Sequence, residues 1–233
     1  MYFLKKAVRL FMGLFLFALG IVLTIHAHLG LQPWDVLHQG LGRVFHVSIG
    51  TATVIVSLII VLLNGAFGEK VGLSTIANAL FVGTFVNVIQ WLHVVPDGSS
   101  LFLRGALLLA GVCAVAVATY LYLSVGYGAG PRDGLMVALT KKIKKPVGLI
   151  RFSLEGSALV IGFFLGGKVG IGTFFSALFI GPLVQSVFHA MHYDVHTVTH
   201  RYLGREQFRW LWPVRVRRPT DACNGAALKQ KGN

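Results

Sequence analysis

A glycine-rich break in an otherwise apolar chain reads GYGAGPRDGLMVAL, from Gly126 to Leu139. A similar stretch, GLQPWDVLHQGL, runs from Gly30 to Leu41, and the two align when the chain is shifted by 98 residues. The alignment continues without a gap, so that GEKVGLSTIANALFVG (68–83) lies on GGKVGIGTFFSALFIG (166–181). Between residues 28 and 89, 16 of 62 positions are identical, and they include proline, aspartate and lysine. Shared apolar composition does not align such residues, so the sequence predicts an internal duplication.

The chain has the composition of an integral membrane protein. Of its 233 residues, 55% are hydrophobic and 12% are charged, and the mean hydropathy is +0.72. Soluble domains carry about 25% charged residues. Six apolar runs reach or approach the roughly 20 residues that cross a bilayer. They are Ala7–Ala27, Ile49–Leu63, Thr75–Leu92, Leu101–Val125, Val147–Leu165 and Gly172–Met191. We therefore predict an all-α polytopic membrane protein with six transmembrane helices.

Each half of the duplication also holds an amphipathic segment that is too short to cross the membrane. Residues 33–46 and 131–145 would form about 21 Å of helix, against a hydrocarbon core of about 30 Å. We expect each to be a broken helix, either re-entrant or interfacial. With three spans each, repeat 1 (residues 1–92) and repeat 2 (residues 101–191) would enter the membrane in opposite directions, as in many secondary transporters. If the short helices crossed fully, the repeats would instead be parallel, with eight spans.

The formal net charge of +13 is explained by membrane orientation and does not require a nucleic-acid partner. If the N-terminus is cytoplasmic and six spans follow, 18 Lys and Arg residues lie inside. The three outside are Arg43, Arg104 and Lys168. The distribution predicts a multi-pass protein of the bacterial inner membrane, in contact with the lipid bilayer, with both termini cytoplasmic. Residues 192–233 form a basic cytoplasmic tail whose end is predicted to be disordered.

The two glycine–proline breaks are the first candidate site. Asp35 and Asp133 each follow a proline by two residues, where a carboxylate can cap the first N–H groups of a helix. One interpretation is that these residues only start helices. The other is that the two half-helix ends face a central cavity and bind an anionic group, with Gly128 and Gly130 allowing close approach of the backbone. No Gly-Lys-Ser/Thr follows and no strand precedes, so the break is not a nucleotide-binding loop.

Arg151 and Glu155 form the second candidate site, four residues apart in the fifth predicted span. Ionisable groups inside spans are costly and indicate function by default. The pair either neutralises itself and stabilises helix packing, or couples protons or substrate. Its counterparts in the first half are Thr53 and Ser57, so the charge belongs to one half only. The predicted substrate-binding set is Asp35, Asp133, Arg132, Arg151, Glu155, Gly128 and Gly130.

The histidines fall into two groups. A stripe near the end of the sixth span offers weak candidates for transition-metal ligands, namely His189, His192 and His196. Because interfacial histidines are commoner than metal ligands, we predict neither a metal site nor a cofactor. The second group is expected toward the external side and comprises His26, His28, His38 and His46.

Three stretches resemble the YczE/YitT group of bacterial integral membrane proteins. They are LGLQPWDVL, GYGAGPRDGLM and LGGKVGIGTFFSALFIGPLVQ, and the resemblance covers about residues 10–190. It implies an inner-membrane protein with several helices, but supplies no reaction and no catalytic residues. The basic tail is not part of the resemblance.

Together these patterns favour a small-solute transporter or permease over an enzyme, since the chain has no HExxH motif and no nucleophile–base set. The alternative is a non-transporting membrane scaffold or accessory protein for a partner enzyme, acting through the basic tail. The sequence specifies neither the solute nor the coupling ion, and it leaves a homo-oligomer open.

Overall fold

The computed structural model describes residues 2–69 and 71–192, and the elements in them are eight α-helices. They are α1 (Tyr2–His26), α2 (Pro33–Val44), α3 (Ile49–Ala66), α4 (Leu73–Trp91), α5 (Leu101–Leu123), α6 (Pro131–Ile143), α7 (Val147–Phe164) and α8 (Ile171–Ala190). Helices α1, α3, α4, α5, α7 and α8 are long and apolar enough to cross a membrane. The prediction of an all-helical protein with six spans is confirmed. Almost all of the predicted tail lies outside the described residues.

The two short helices, α2 and α6, have 12 and 13 residues. Each ends slightly earlier than the sequence predicts. The reason is a left-handed residue at equivalent places, His46 with φ 54° after α2 and Lys144 with φ 56° after α6. Such a conformation stops a right-handed helix.

Helices α1 and α5 pack against each other in opposite directions at the centre of the protein. Gly13 of α1 lies beside Tyr122, whereas Gly20, farther along α1, lies beside Gly111, earlier in α5. A side chain at Gly20 would collide with the backbone of α5, so the small residues allow the close approach. Buried apolar side chains such as Leu14 and Val112 complete the core along this contact.

Left-handed backbone conformations recur at the 98-residue interval of the predicted duplication. Within the described residues ten have a positive φ, and eight of them form four pairs 98 residues apart. The pairs are His28 with Gly126, Gly30 with Gly128, His46 with Lys144, and Gly68 with Gly166. Gly30 and Gly128 have almost the same φ, 112° and 113°. A chain can take such values at low cost only where it has no Cβ.

Each glycine break contacts the start of a helix in the other half of the chain. The amide of Ser74 donates to Tyr127 O at 3.0 Å, and the amide of Gly172 donates to Leu29 O at 2.7 Å. These donors and acceptors are also 98 residues apart. In addition, the Thr75 hydroxyl of α4 donates to Ala129 O at 2.6 Å. The first turns of α4 and α8 therefore bind the breaks that precede α6 and α2.

The far ends of the short helices are tied to loops of the other half in the same way. Arg43 at the end of α2 donates to Gly166 O, in the loop between α7 and α8. Its counterpart Lys141, in α6, lies 2.6 Å from the carboxylate of Glu69, in the loop between α3 and α4.

The two halves differ in how their last two spans pack. In the first half, Gly50 of α3 and Gly83 of α4 lie so close that a side chain on either would collide with the carbonyl of the other. Their counterparts in α7 and α8 are Gly148 and Gly181, and a Cβ on either would have no neighbour within 4 Å. The contact between α3 and α4 therefore has no equivalent between α7 and α8.

Candidate functional site

The starts of the two short helices bring three ionisable side chains together. Asp35 and His38 of α2 are 1% and 0% exposed, and Arg132 of α6 approaches both. Its Nη2 atom lies 3.5 Å from His38 Nε2 and 4.0 Å from Asp35 Oδ1. The two halves of the chain thus contribute to one charged cluster, Asp35–His38–Arg132, whereas the other buried polar side chains of the described residues are uncharged.

Arg132 also packs on an aromatic ring. Its guanidinium carbon lies 4.9 Å from the centroid of the Trp34 ring. A cation–π contact of this kind contributes about 0.5–2 kcal/mol. Because Trp34 precedes Asp35 on α2, the ring holds the guanidinium at the start of that helix.

His38 is held from a third helix, α3. Thr53 Oγ1 lies 3.0 Å from His38 Nδ1, and the same hydroxyl is 2.8 Å from Ile49 O. Asp35 Oδ1 is 3.4 Å from His38 Nδ1. That carboxylate oxygen is buried and makes no hydrogen bond with any described residue. Five other buried side-chain atoms of the described residues also lack a partner, but Asp35 Oδ1 is the one that belongs to a carboxylate, the costliest of these groups to bury unpaired.

Asp133 lies next to Arg132 and accepts a hydrogen bond from the buried Tyr122 hydroxyl at 3.1 Å. Gly130 lies beside the same hydroxyl, since a Cβ there would be 3.0 Å from it. The charges of α7 act on this end of the cluster: Arg151 interacts electrostatically with Asp133, and Glu155 with Arg132. The structure therefore brings the five predicted charged residues into one region.

Two expectations about these side chains need correction. Asp35 and Asp133 do not cap their helices, because the N-caps are Gln32 and Gly130 and neither helix has a capping hydrogen bond from a side chain. Both carboxylates turn instead toward partners in the protein interior. His38, expected with an external group of histidines, is fully buried in the cluster.

The Arg151–Glu155 pair forms, at 2.9 Å, but it is less buried than expected. The two side chains are 49% and 25% exposed, because α7 lies at the edge of the helix bundle. The counterparts Thr53 and Ser57 are buried inside it. The ion pair therefore borders the cluster from its outer side.

The glycine breaks themselves do not meet. Gly128 lies against Gly72 at the start of α4, and Gly30 lies against Gly170 at the start of α8. Only the short helices that follow the breaks converge. The ligand roles predicted for Gly128 and Gly130 stay predictions. Gly128 is in contact with Gly72, and Gly130 with Tyr122.

Two of the three histidines that are weak candidates for metal ligands lie in the described part of the chain. Within residues 2–69 and 71–192, no three His, Cys, Asp or Glu side chains lie close enough together to hold an ion. His189 and His192 are at the end of α8, whereas His196 lies outside the described residues.

One sequence signal could have identified His38. It lies three residues after Asp35, which places both on one face of a short helix. Thr53 and Tyr122 could not have been found in this way, because they come from other helices and carry no charge.

The matched family model covers residues 4–189 and is described as a family of unknown function, DUF6198. This chain belongs to that family. It is 35% identical to an uncharacterized protein of Haemophilus influenzae over 178 residues, which are 74% of this chain and 81% of the relative. It is also 30% identical over 179 residues to the uncharacterized membrane protein YczE of Bacillus subtilis, covering 75% of this chain and 81% of YczE.

A second Bacillus subtilis protein, the uncharacterized YyaS, is 26% identical over 176 residues, covering 74% of this chain and 87% of YyaS. No solved structure matches the chain. The resemblance to YczE-type membrane proteins is therefore confirmed. The region shared within the DUF6198 family spans all eight helices almost completely.

Proposed function

We propose that this member of the DUF6198 family is a small-solute transporter or permease, and not an enzyme, built from two inverted repeats. The observation that carries the proposal is the Asp35–His38–Arg132 cluster. It is charged, largely buried among membrane spans and assembled from both halves of the chain. Charged groups inside a membrane protein commonly mark the path of a solute or an ion.

Inverted repeats are supported by four observations already described. They are the 98-residue interval in the sequence, the antiparallel packing of α1 and α5, the paired left-handed residues, and the reciprocal contacts of the glycine breaks. In transporters with inverted repeats, broken helices meet near the middle of the membrane and form the solute site. The short helices α2 and α6 correspond to those elements.

The proposed location is the bacterial inner membrane, with both termini cytoplasmic. The excess of Lys and Arg on one side of the six spans supports that orientation. Fusions of a cytoplasmic and a periplasmic reporter to each terminus test it. A periplasmic C-terminus would contradict the orientation, because six spans return the chain to the side on which it began.

Transport is tested with the purified full chain in liposomes of bacterial phospholipid. Uptake from a mixture of small metabolites and inorganic ions is measured by mass spectrometry, and internal pH by a trapped dye. We expect uptake that D35N and R132Q each reduce about tenfold or more, because each leaves an unpaired charge in the cluster. The control is R43Q, which also removes one charge from a short helix but at its far end. Flux equal to that of protein-free liposomes, or unchanged in D35N and R132Q, would reject the proposal.

The same liposomes separate the two interpretations of Arg151 and Glu155. If the ion pair only neutralises itself, R151Q and E155Q each lower flux and the double variant restores it. If the pair takes part in coupling, the double variant is as inactive as the worse single variant.

The rival function is a scaffold acting through residues 192–233. A chain truncated after Met191 that keeps full flux assigns transport to the helical part. Loss of the cellular phenotype on truncation, with a folded core and no measurable flux in either chain, would favour the scaffold.

A further inference from the structure

The contacts of His38 assign a proton to one nitrogen of its ring. A hydroxyl has a single hydrogen, and that of Thr53 is directed to Ile49 O at 2.8 Å. Thr53 Oγ1 must therefore accept a hydrogen bond from His38 Nδ1, 3.0 Å away. The second neighbour of Nδ1 is Asp35 Oδ1, which can also only accept when ionised. The Thr53 contact places a hydrogen on Nδ1, and the negative charge of Asp35 beside this nitrogen favours the same form of the ring.

The other ring nitrogen, Nε2, faces Arg132. Arginine has hydrogen-bond donors and no acceptor, so the approach of Nη2 to 3.5 Å requires a lone pair on Nε2. His38 is then a neutral ring protonated on Nδ1. A second proton on Nε2 would bring two donors and two positive charges together, a repulsion strengthened by the low dielectric of the interior. Proton binding at Nε2 and the Arg132 contact are mutually exclusive.

We propose that His38 Nε2 is a proton-binding site whose occupation displaces the Arg132 guanidinium from His38. Because His38 belongs to the first half and Arg132 to the second, each proton bound breaks a contact between the halves. Asp35 remains beside Nδ1 and stabilises the imidazolium, and the Trp34 ring retains the released guanidinium nearby. The role of the proton as coupling ion rests on the transport function proposed above, whereas the site itself does not.

Charged groups on every neighbouring helix bear on this site. On α2 they are Asp35 and, at the far end, Arg43; α3 contributes the neutral Thr53 and no charged side chain. Helix α6 contributes Arg132 and Asp133 close by, with Lys141 and Lys142 in its last turn, and α7 contributes Arg151 and Glu155. Of all these, Arg132 alone contacts Nε2 among the described residues, so its removal is the decisive variant.

The test is nitrogen NMR of the full chain in lipid nanodiscs, with histidine labelled with ¹⁵N. The His38 signals are identified by their loss in H38Q. In the wild-type protein at alkaline pH we expect Nδ1 protonated and Nε2 unprotonated, which is the less common form of free histidine. Lowering the pH adds a proton to Nε2. In R132Q the proton affinity of Nε2 rises about tenfold or more, since one opposing charge is gone, while R43Q titrates as the wild type does.

Two results would overturn the site: a neutral His38 protonated on Nε2, or equal titration of His38 in R132Q and R43Q. The first is measured on the wild-type chain and so does not depend on any variant folding. The readout is also separate from flux. If the NMR results are as expected and no flux occurs, the transport function fails and the proton site stands. If flux occurs and H38Q keeps the wild-type pH dependence, coupling through His38 is rejected.

Discussion

Single side chains decide the chemistry of this protein because so few of them are charged. The Asp35–His38–Arg132 cluster is held by atoms from three helices, and local features such as the proline at the start of α2 and the Trp34 ring against the guanidinium position them. Sequence spacing reveals the pairs on one helix. Contacts such as Tyr122 with Asp133, or Thr53 with His38, depend on packing and have no signal in spacing.

A second contact, between the end of α1 and the loop before α5, is expected to make the stability dependent on pH. Asp97 Oδ1 lies 3.0 Å from His28 Nε2 and 2.8 Å from His26 Nδ1, and its side chain is 70% exposed. The hydrogen bond from His28 lowers the pKa of the Asp97 carboxyl below its ordinary value, and the bond from His26 adds to the effect. A lowered pKa means that the ionised carboxylate stabilises the fold above the ordinary carboxyl pKa. This stabilisation is lost as the pH falls through the lowered value.

We therefore expect D97N to unfold at a lower temperature than the wild type at pH 7, and the difference to shrink as the pH falls through the lowered pKa of the Asp97 carboxyl. Thermal melts in detergent at a series of pH values measure it. The effect is small because the site is exposed. A difference that keeps the same size from pH 7 to the most acidic pH of the series would show that Asp97 acts through packing and not through its charge.

At the scale of helices, equivalent positions in the two predicted repeats can be compared with each other. The lengths and order of the six spans follow from the length of continuous apolar runs, and for this reason the sequence predicts them well. The sequence does not distinguish the packing of α3 with α4 from that of α7 with α8, because Gly50, Gly83, Gly148 and Gly181 occupy equivalent positions in the two halves. How closely two helices pack depends on the position of the pair in the bundle, which no local sequence pattern specifies.

The matched glycines make this difference measurable. G83A places a methyl group against Gly50 O, and we expect it to destabilise the protein by about 1–3 kcal/mol through overpacking. The counterpart G181A has open space beside it and gains helix propensity, so we expect a change of between zero and about 1 kcal/mol of stabilisation. Urea or SDS unfolding in micelles compares the two. Equal losses would mean that α7 and α8 touch at their glycines as α3 and α4 do.

At the scale of the whole molecule, the two halves are joined by contacts that neither half can make alone. The amide of Ser74 donates to the Tyr127 carbonyl, and the amide of Gly172 donates to the Leu29 carbonyl. The duplication predicts that the halves resemble each other, but it does not predict that each break binds the opposite half. That arrangement depends on the pairing of α1 with α5, which the sequence does not specify.

We expect residues 1–97 and 98–233, expressed as two separate chains, to assemble when they are present together. Each alone leaves backbone donors without partners in lipid, at a cost of several kcal/mol per group. Co-purification of one tagged half with the other measures assembly. In a comparison variant, T75V removes the hydrogen bond from α4 to Ala129 O, and we expect a lower yield of the complex. A folded, monodisperse single half would contradict the expectation.

The reciprocal contacts of the breaks also impose an order on biosynthesis. Residues 1–92 leave the ribosome first, and at that stage the first turn of α4 has neither the Tyr127 carbonyl nor the Ala129 carbonyl to bind. The Ser74 amide and the Thr75 hydroxyl of the first half therefore lack these partners until α5 and the second break have been inserted. A nascent chain stalled between the two halves would expose these groups, which makes it a recognisable target for membrane-bound proteases.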